Sequence, residues 1–307
     1  MTLERLFGEL SDEGKSIRNS VLVRLSGLLP EELEQLPKEW PRLSSIRRSQ
    51  ILKALVDMGE TNPELDFTSL FKFCLKDPEP EIREKAIAGL WECEERGLIF
   101  SFIAIMKEDP SEKVRAVAAR ALGNFSRLAE SGRLLRKDGE RVRQALLDVI
   151  QQLPQSVEVR RRALEAVAPF NDSDIKTIIK DAYSSPDDLL RQSSLKAMGR
   201  NGDGVWLPTI LKELKSDDPT MRQEAASAVG AVSDEGAIPY LIPLLQDEDT
   251  EVRLATVRAL GETGGRMAKR ALAACLRSEE EPVREAAAEA LRRMDSDEDP
   301  LSFGFRT

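Results

Sequence analysis

Five arginines recur in the second half of this chain at a constant spacing of 31 residues. They are Arg160, Arg191, Arg222, Arg253 and Arg284, and each follows directly after an apolar residue. A fixed period of this length is typical of stacked repeats, in which each unit contacts only its neighbours. Such an array offers an extended surface rather than an enclosed pocket. The first functional expectation is therefore recognition of another macromolecule.

Other residue types recur in step with this arginine ladder. A small residue follows each arginine three positions later and an apolar residue follows seven positions later, which predicts a helix with one buried stripe. An acidic residue four positions before the arginine is expected at the N-cap or in the first turn, where free N–H groups favour a carboxylate. Eight positions after the arginine, three units have a glycine that we expect to supply a left-handed C-cap: Gly199, Gly230 and Gly261.

A second apolar stripe precedes each of these helices, as in Ile210, Leu211 and Leu214, and Pro208 lies near its start. The sequence therefore predicts an all-α fold, an α-α superhelix (right-handed α-solenoid) of about nine helix-turn-helix repeats. Arg83 and Arg115 fit the same pattern upstream. Two further residues are candidates to head degenerate units, namely Arg48 and Arg18.

The breaks in the period predict the domain organisation. Arg115 and Arg160 are 45 residues apart, an excess that we expect as a longer connection with a helical turn near 124–138. We predict degenerate repeats over 1–76 and regular repeats with this insertion over 77–294. An acidic and aromatic tail over 295–307 follows, in which Phe303 and Phe305 either fray, cap the last repeat or form a docking motif.

Composition narrows the function classes. The chain has no histidine, the commonest general base and metal ligand, and its three cysteines show no metal-binding spacing. We therefore expect no catalytic residue, no cofactor and no metal site, and a reducing cytoplasm as location. The net charge of −9 disfavours nucleic acid as a partner. No apolar run reaches the roughly 20 residues of a membrane helix, and the first residues show no signal peptide.

Three segments resemble the D-x-x-V-R-x-x-A-x-x-A-L-G signature of HEAT-like repeats, in the short subclass named for phycobilisome lyases: DDPTMRQEAASAVGAV, DEDTEVRLATVRALGETG and EEEPVREAAAEALRRM. The resemblance covers residues 77–293 well and 1–62 poorly. It implies the repeat type, related to armadillo-like arrays, but it does not imply a function. Such units occur in scaffolds, regulators, lyase subunits and DNA-repair proteins.

The leading expectation is a non-catalytic scaffold that binds another protein or peptide on the concave face of a HEAT-like solenoid. One alternative is a bilin-lyase-like enzyme subunit, and a less favoured one is a HEAT-like nucleic-acid-binding or repair protein. The sequence predicts no oligomeric state.

The arginine ladder itself has two interpretations. In the favoured one, each arginine pairs with the acid four residues before it, or with the neighbouring unit, and holds the repeats in register. In the other, the arginines line a groove for an anion. The residues expected to form this structural ladder are Asp187, Arg191, Asp218, Arg222, Asp249, Arg253, Glu280 and Arg284.

Partner-binding candidates lie one and five residues after the ladder arginines, on the helix face that the resemblance places on the concave side. They are Arg161, Glu165, Gln192, Lys196, Gln223, Ser227 and Arg258. Trp91 is a further candidate, as a partner anchor or, the favoured interpretation, as a packing residue. Trp40 and Trp206 are expected to pack. A basic cluster is either a solvated face or a docking stripe for acidic groups: Arg133, Arg136, Lys137, Arg141, Arg143, Arg160, Arg161 and Arg162.

Overall fold

The computed structural model of this chain describes residues 3–151 and 155–298, with side chains up to residue 296. No strand occurs in these ranges. The α-helices are α1 (Leu3–Leu10), α2 (Asn19–Leu22), α3 (Pro30–Leu33), α4 (Leu36–Glu39), α5 (Ser45–Thr61), α6 (Thr68–Cys74), α7 (Pro80–Gly89), α8 (Arg96–Glu108), α9 (Glu112–Glu130), α10 (Arg136–Gln151), α11 (Val157–Val167), α12 (Ser173–Tyr183), α13 (Asp188–Asn201), α14 (Leu207–Glu213), α15 (Pro219–Val232), α16 (Ile238–Leu241), α17 (Thr250–Thr263), α18 (Gly265–Cys275) and α19 (Glu281–Glu298). Short 3-10 helices cover Val23–Leu25, Trp40–Arg42, Gly204–Trp206, Glu235–Ala237 and Ile242–Gln246.

The chain divides into two compact units, Met1–Ala166 and Val167–Thr307. In the first unit, α5 packs on α7 and α7 packs on α9; in the second, α13, α15, α17 and α19 stack in chain order. These helices carry the ladder arginines and are the second helices of their repeats; from α7 onwards, the first helix of the same repeat packs beside each of them, as α8 does on α9 and α14 does on α15. The prediction of an all-α fold and an α-solenoid is confirmed. The handedness, the repeat count and the boundaries at 76/77 and 294/295 stay predictions.

Aspartates cap the second helices as the pattern predicts. The Asp187 carboxylate accepts a hydrogen bond from the Leu190 N–H at 3.1 Å, and Asp218 accepts one from the Thr220 N–H at 2.8 Å. Asp249 caps α17 in the same way. Each carboxylate satisfies an N–H group that lacks a partner in the first helical turn.

The expected C-cap role of the repeating glycines is wrong, because each helix continues beyond its glycine. The left-handed residues come three positions later, at Gly202 with φ 69° and Ser233 with φ 54°. The glycines instead permit close helix approach. A Cβ atom at Gly230 would lie 2.8 Å from the Ala259 Cα atom of the next stacked helix. The positions that the pattern assigned to C-caps are thus interior packing positions of α13, α15 and α17: Gly199, Gly230 and Gly261.

Two of the helices that precede the ladder helices in the second unit, α14 and α16, are short. Ile210 and Leu214 of the predicted stripe are buried, and Leu211 is half-buried. The equivalent helix of the next repeat, α16, ends at Leu241 and continues as a 3-10 helix. Pro243 lies in that 3-10 segment. Because proline lacks an N–H and crowds the preceding turn, it interrupts the α-helix there.

The excess residues near 124–138 take a different form from the longer connection that the spacing suggested. Helix α9 extends to Glu130, and α10 begins at Arg136. Most of the extra length is therefore added to helices, which bury Leu128 and Leu146. Ladder spacing counts residues and does not show whether they are helical, so it does not distinguish a longer connection from longer helices.

The two ends of the ladder behave differently. Arg48 lies on α5 and pairs with Asp77, as a ladder arginine would. Arg18 precedes the four-residue α2 and pairs with Glu9, so it heads no comparable helix. At the other end, α19 runs on to Glu298 and includes the first residues of the predicted tail. The tail phenylalanines lie outside the described residues.

Two of the three tryptophans are core residues, as predicted. Trp40 is 1% exposed, and its Nε1–H donates to Asp77 at 2.8 Å. Trp206 is 7% exposed and donates to Asn201 at 2.8 Å. Each indole has a partner for its polar atom, which burial requires.

Candidate partner-binding face

The arginine ladder connects successive repeats. Arg222 donates from Nε and Nη2 to the two carboxylate oxygens of Asp247, both at 2.8 Å. Its Nη1 donates to the backbone carbonyl of Ser216, six residues back, at 2.9 Å. Arg83 repeats this geometry upstream with Asp109. One guanidinium thus binds the turn before its own helix and the turn before the next.

Of the two pairings expected for the ladder arginines, Arg222 and Arg253 form the one with the neighbouring unit and not the one with the acid four residues back. Asp218 and Asp249 cap their own helices, while Arg222 reaches Asp247 and Arg253 reaches Glu280 in the next repeat, 25 and 27 residues on. The physical reason is that N-capping already uses the carboxylate that lies four residues before the arginine.

The other predicted ladder arginines also bind backbone carbonyls. Arg191 donates to Ser185 at 3.0 Å and pairs with Asp188, and Arg284 donates to Ser278 at 2.8 Å. Because Arg222 is 9% exposed and Arg83 is 8% exposed, these two guanidinium groups do not line an open groove for an anion. The hydrogen bond from Arg222 also holds the pKa of Asp247 below its ordinary value.

Three cavities open along one surface of the first unit, which we call the second-helix face. It consists of the cavity-lining residues of α5, α7, α9 and α11 and of those directly before or after these helices, such as Glu79 and Trp91. The largest cavity, about 650 Å³, is lined by α7, α9 and α11. A second of about 180 Å³ lies between α5, α7 and α9, and a third of about 220 Å³ lies between α5 and α7. The first and the second cavity share a wall on α9, since Val117 and Arg120 line both.

Trp91 lies just beyond the end of α7 and lines the 180 Å³ cavity. Its side chain is 39% exposed, in contrast to the other two tryptophans. Val56 of α5 and Val117 of α9 form the apolar walls beside it. The backbone carbonyl of Trp91 accepts a hydrogen bond from the Asn124 side chain at 3.3 Å. A tryptophan whose backbone is held by a hydrogen bond and whose side chain is partly exposed can act as an anchor for a partner.

Several charged side chains of this face have no hydrogen bond or ion pair within the described part of the chain. These are Glu60, Glu79, Glu84, Glu112, Lys113 and Arg120. Other charges of the face are already paired. The Glu158 carboxylate accepts from Arg162 at 3.1 Å and also pairs with Arg161. Burial alone would raise the pKa of Glu158, but the two arginines outweigh it and lower this pKa.

Among the predicted partner-binding residues, Glu165 was expected on an open surface, and this prediction is wrong. It is 1% exposed and accepts from Arg162 at 3.1 Å. Arg161 is half-buried and pairs with Glu158. The position five residues after Arg160 is closed because two neighbouring arginines fold over its carboxylate.

The remaining predicted positions lie on α13, α15 and α17 of the second unit. Gln192 and Gln223 are half-buried, and Lys196 forms an ion pair with Glu224 at 2.8 Å. Ser227 and Arg258 are exposed. The structure therefore leaves two of these residues open to solvent and engages a third between stacked helices.

Sequence reasoning missed the residues around the largest cavity, although the same offsets would have found them. Glu84 follows Arg83 by one residue, and Arg120 follows Arg115 by five. The period is regular only from Arg160 onwards, so the positions one and five residues after a ladder arginine were predicted for that part of the chain alone. The cavities lie instead where the repeats vary in length.

Acids neutralise part of the basic cluster around α10. Arg133 pairs with Glu94 at 2.9 Å, and Arg141 pairs with Asp138 at 3.1 Å. Asp138 is fully buried, and a hydrogen bond from Arg96 lowers its pKa. These contacts agree with a solvated face in which charges alternate.

The sequence of the second unit identifies the repeat type independently. Residues 207–292 match the sequence family described as HEAT repeats. The chain therefore contains HEAT-like repeats. Its assignment to the short phycobilisome-lyase subclass stays a prediction. No curated protein matches its sequence significantly.

Several solved structures are similar to this HEAT-like repeat protein. The Escherichia coli protein YIBA is 16% identical, with 91% of this chain and 98% of that chain covered and a TM-score of 0.45. Human deoxyhypusine hydroxylase, in complex with glycerol, is 18% identical, with coverages of 86% and 96% and a TM-score of 0.38. A designed armadillo repeat protein is 17% identical, with coverages of 63% and 98% and a TM-score of 0.35.

Within residues 3–151 and 155–298, no group of three or more His, Cys, Asp or Glu side chains is arranged to hold a metal ion. In the same ranges, no helix combines the length and the apolar character needed to cross a membrane.

Proposed function

We propose that this HEAT-like repeat protein is a non-catalytic interaction scaffold that binds another protein or peptide on its second-helix face. The observation that carries the proposal is the coincidence of three features on one surface: the cavities, the exposed Trp91 and the unpaired charged side chains. Aromatic residues in partly enclosed positions contribute most to protein interfaces. Charges that lack internal partners can bind a partner without breaking existing ion pairs.

The size of the face also favours a polypeptide. Packed helices lie about 8–10 Å apart, so four stacked helices offer a track of roughly 25–30 Å. That length corresponds to about eight residues of extended chain or to about 18 residues of helix. Seven of the nine residues that line the largest cavity are charged or polar, which favours a partner with complementary charged and polar groups.

We further propose that the exposed candidates of the second unit, Ser227 and Arg258, belong to another contact surface. A cytoplasmic location is also proposed. It is supported by the three cysteines, which are all free: Cys74, Cys93 and Cys275.

Affinity purification of the full chain from its source cells tests the proposal. A partner recovered with the unchanged protein should fall by about tenfold or more with Trp91→Ala or Glu84→Lys, because each change removes part of the face. Phe100→Ala is a matched control, since Phe100 is also exposed and aromatic but lies on α8, outside the three cavities.

Equal recovery of every partner with the Trp91 and Glu84 variants would contradict the proposal. The same purification separates the alternatives. A bound bilin chromophore would indicate the lyase-type subunit, and a nucleic acid released by salt would indicate the nucleic-acid-binding protein.

A further inference from the structure

We propose that the partner of the second-helix face is a basic segment with one bulky apolar side chain, flanked on both sides by lysine or arginine. This inference rests on the proposed function and adds the chemistry of the partner.

The apolar anchor is inferred from the cavity beside Trp91. Its volume of about 180 Å³ exceeds that of protein cavities of about 150 Å³ that hold benzene, so one leucine or phenyl ring fits. Trp91, Val56, Ala88 and Val117 offer it apolar contact. Burial of an anchor of this kind removes apolar surface from water and so favours binding, against the cost of ordering the partner.

The positive charge of the partner is inferred from the balance of unpaired groups. Four carboxylates of the face have no partner within the described residues, and two cations, Lys113 and Arg120, also have none. The four are Glu60, Glu79, Glu84 and Glu112. Four negative and two positive charges leave an excess of two negative charges, on a chain whose net charge is −9. Complementary charge accelerates association and selects the sign of the partner.

The positions of these charges define an order along the partner. Glu60 lines the Trp91 cavity, whereas Glu84, Glu112 and Lys113 line the largest cavity. Arg120 lines both cavities. A like charge opposite Arg120 or Lys113 would be repelled, whereas a backbone carbonyl would accept a hydrogen bond from either side chain. The fitting sequence therefore has a cation opposite Glu60, the apolar anchor, a neutral residue and then a cation opposite Glu84 or Glu112.

Three labelled peptides test this chemistry on the full chain by fluorescence anisotropy. The first has a single leucine among serines and glycines, with lysines on both sides. The second has glutamates in place of the lysines, and the third has serine in place of the leucine. The first should bind about tenfold or more tightly than either of the others. Its affinity should fall as salt is added, because exposed charges are screened.

Matched variants locate the binding. Trp91→Ala and Glu84→Lys should each weaken the lysine–leucine peptide by about tenfold, while Glu251→Lys on α17, also exposed, should leave its affinity unchanged. Circular dichroism of each variant shows that the fold persists.

Absent binding of the lysine–leucine peptide, equal binding of the glutamate peptide, or affinity unchanged by Trp91→Ala and Glu84→Lys would each overturn the inference. If the glutamate peptide binds best and loses affinity with Trp91→Ala, the face remains an interaction surface and only the basic partner is wrong. The proposed function itself fails only in the affinity purification.

Discussion

Arg222 and Asp247 form a two-pronged ion pair between α15 and the turn before α17. Both side chains are largely buried, at 11% and 9% exposure. The remaining Nη1 of Arg222 holds the Ser216 and Asp217 carbonyls of its own turn. Because one side chain fixes two consecutive turns, the contact between neighbouring repeats depends on it.

Arg222→Ala should therefore destabilise the second unit by about 3–5 kcal/mol, because it leaves the buried Asp247 carboxylate without its partner. Arg258→Ala is the control, since Arg258 is exposed on the neighbouring helix and its loss should change stability by less than about 0.5 kcal/mol. Urea unfolding followed by circular dichroism measures both changes. Equal midpoints for the two variants would show that the ladder pair does not stabilise the stack.

The same pair predicts a pH dependence. The pKa of Asp247 is lowered in the folded chain, so the ionised form stabilises the fold above the unfolded value of about 3.9. This contribution is lost as pH falls through the lower, folded pKa. The stability difference between the unchanged chain and Asp247→Asn should be largest at neutral pH and shrink below about pH 4. Urea midpoints across this range measure it, and a difference that is constant or grows in acid would refute the assignment.

Gly230→Ala should destabilise the protein although alanine favours helices. Its Cβ atom would lie 2.8 Å from the Ala259 Cα atom, so α15 and α17 must move apart, at a cost of about 1–3 kcal/mol. Gly59→Ala is the matched helical control. A Cβ atom at Gly59 meets nothing within 4 Å, and the change should stabilise the chain by about 0.5–1 kcal/mol. Thermal unfolding of both variants should shift in opposite directions; a stabilised Gly230→Ala variant would contradict the close packing.

Trp91 should dominate the quenching of tryptophan fluorescence by acrylamide. It is 39% exposed, while Trp40 and Trp206 are 1% and 7% exposed. Trp91→Phe should remove most of the fluorescence that acrylamide quenches and leave the fluorescence of the two buried tryptophans unchanged. Equally strong quenching in this variant would mean that another indole is accessible.

The sequence was sufficient for the repeat and for the N-caps of its helices because these depend on local positions. Asp187 precedes Arg191 by four residues, and N-capping acts within one helical turn. Pairing between repeats depends on distances in space. The partner of Arg222 lies 25 residues later in a turn, and the regular recurrence of acids four residues back gave a nearer and incorrect candidate.

The face was harder to predict than the fold. Glu165 occupies a position expected to be open, but Arg162 covers it, which is a matter of side-chain conformation rather than spacing. Trp91 lies eight residues after Arg83 and Arg120 lies five residues after Arg115, but these offsets do not show that the two side chains share a cavity. Their common cavity follows from the packing of α5, α7 and α9.

Site-specific photo-cross-linking tests the second-helix face most directly. A benzophenone side chain replaces Lys113, which lines the largest cavity, or Ala104, which is exposed on α8 outside the three cavities. With the partner recovered by affinity purification, we predict cross-linking from position 113, its loss with Trp91→Ala, and none from position 104. Cross-linking of that partner from position 104, with none from position 113, would contradict the assignment of this face.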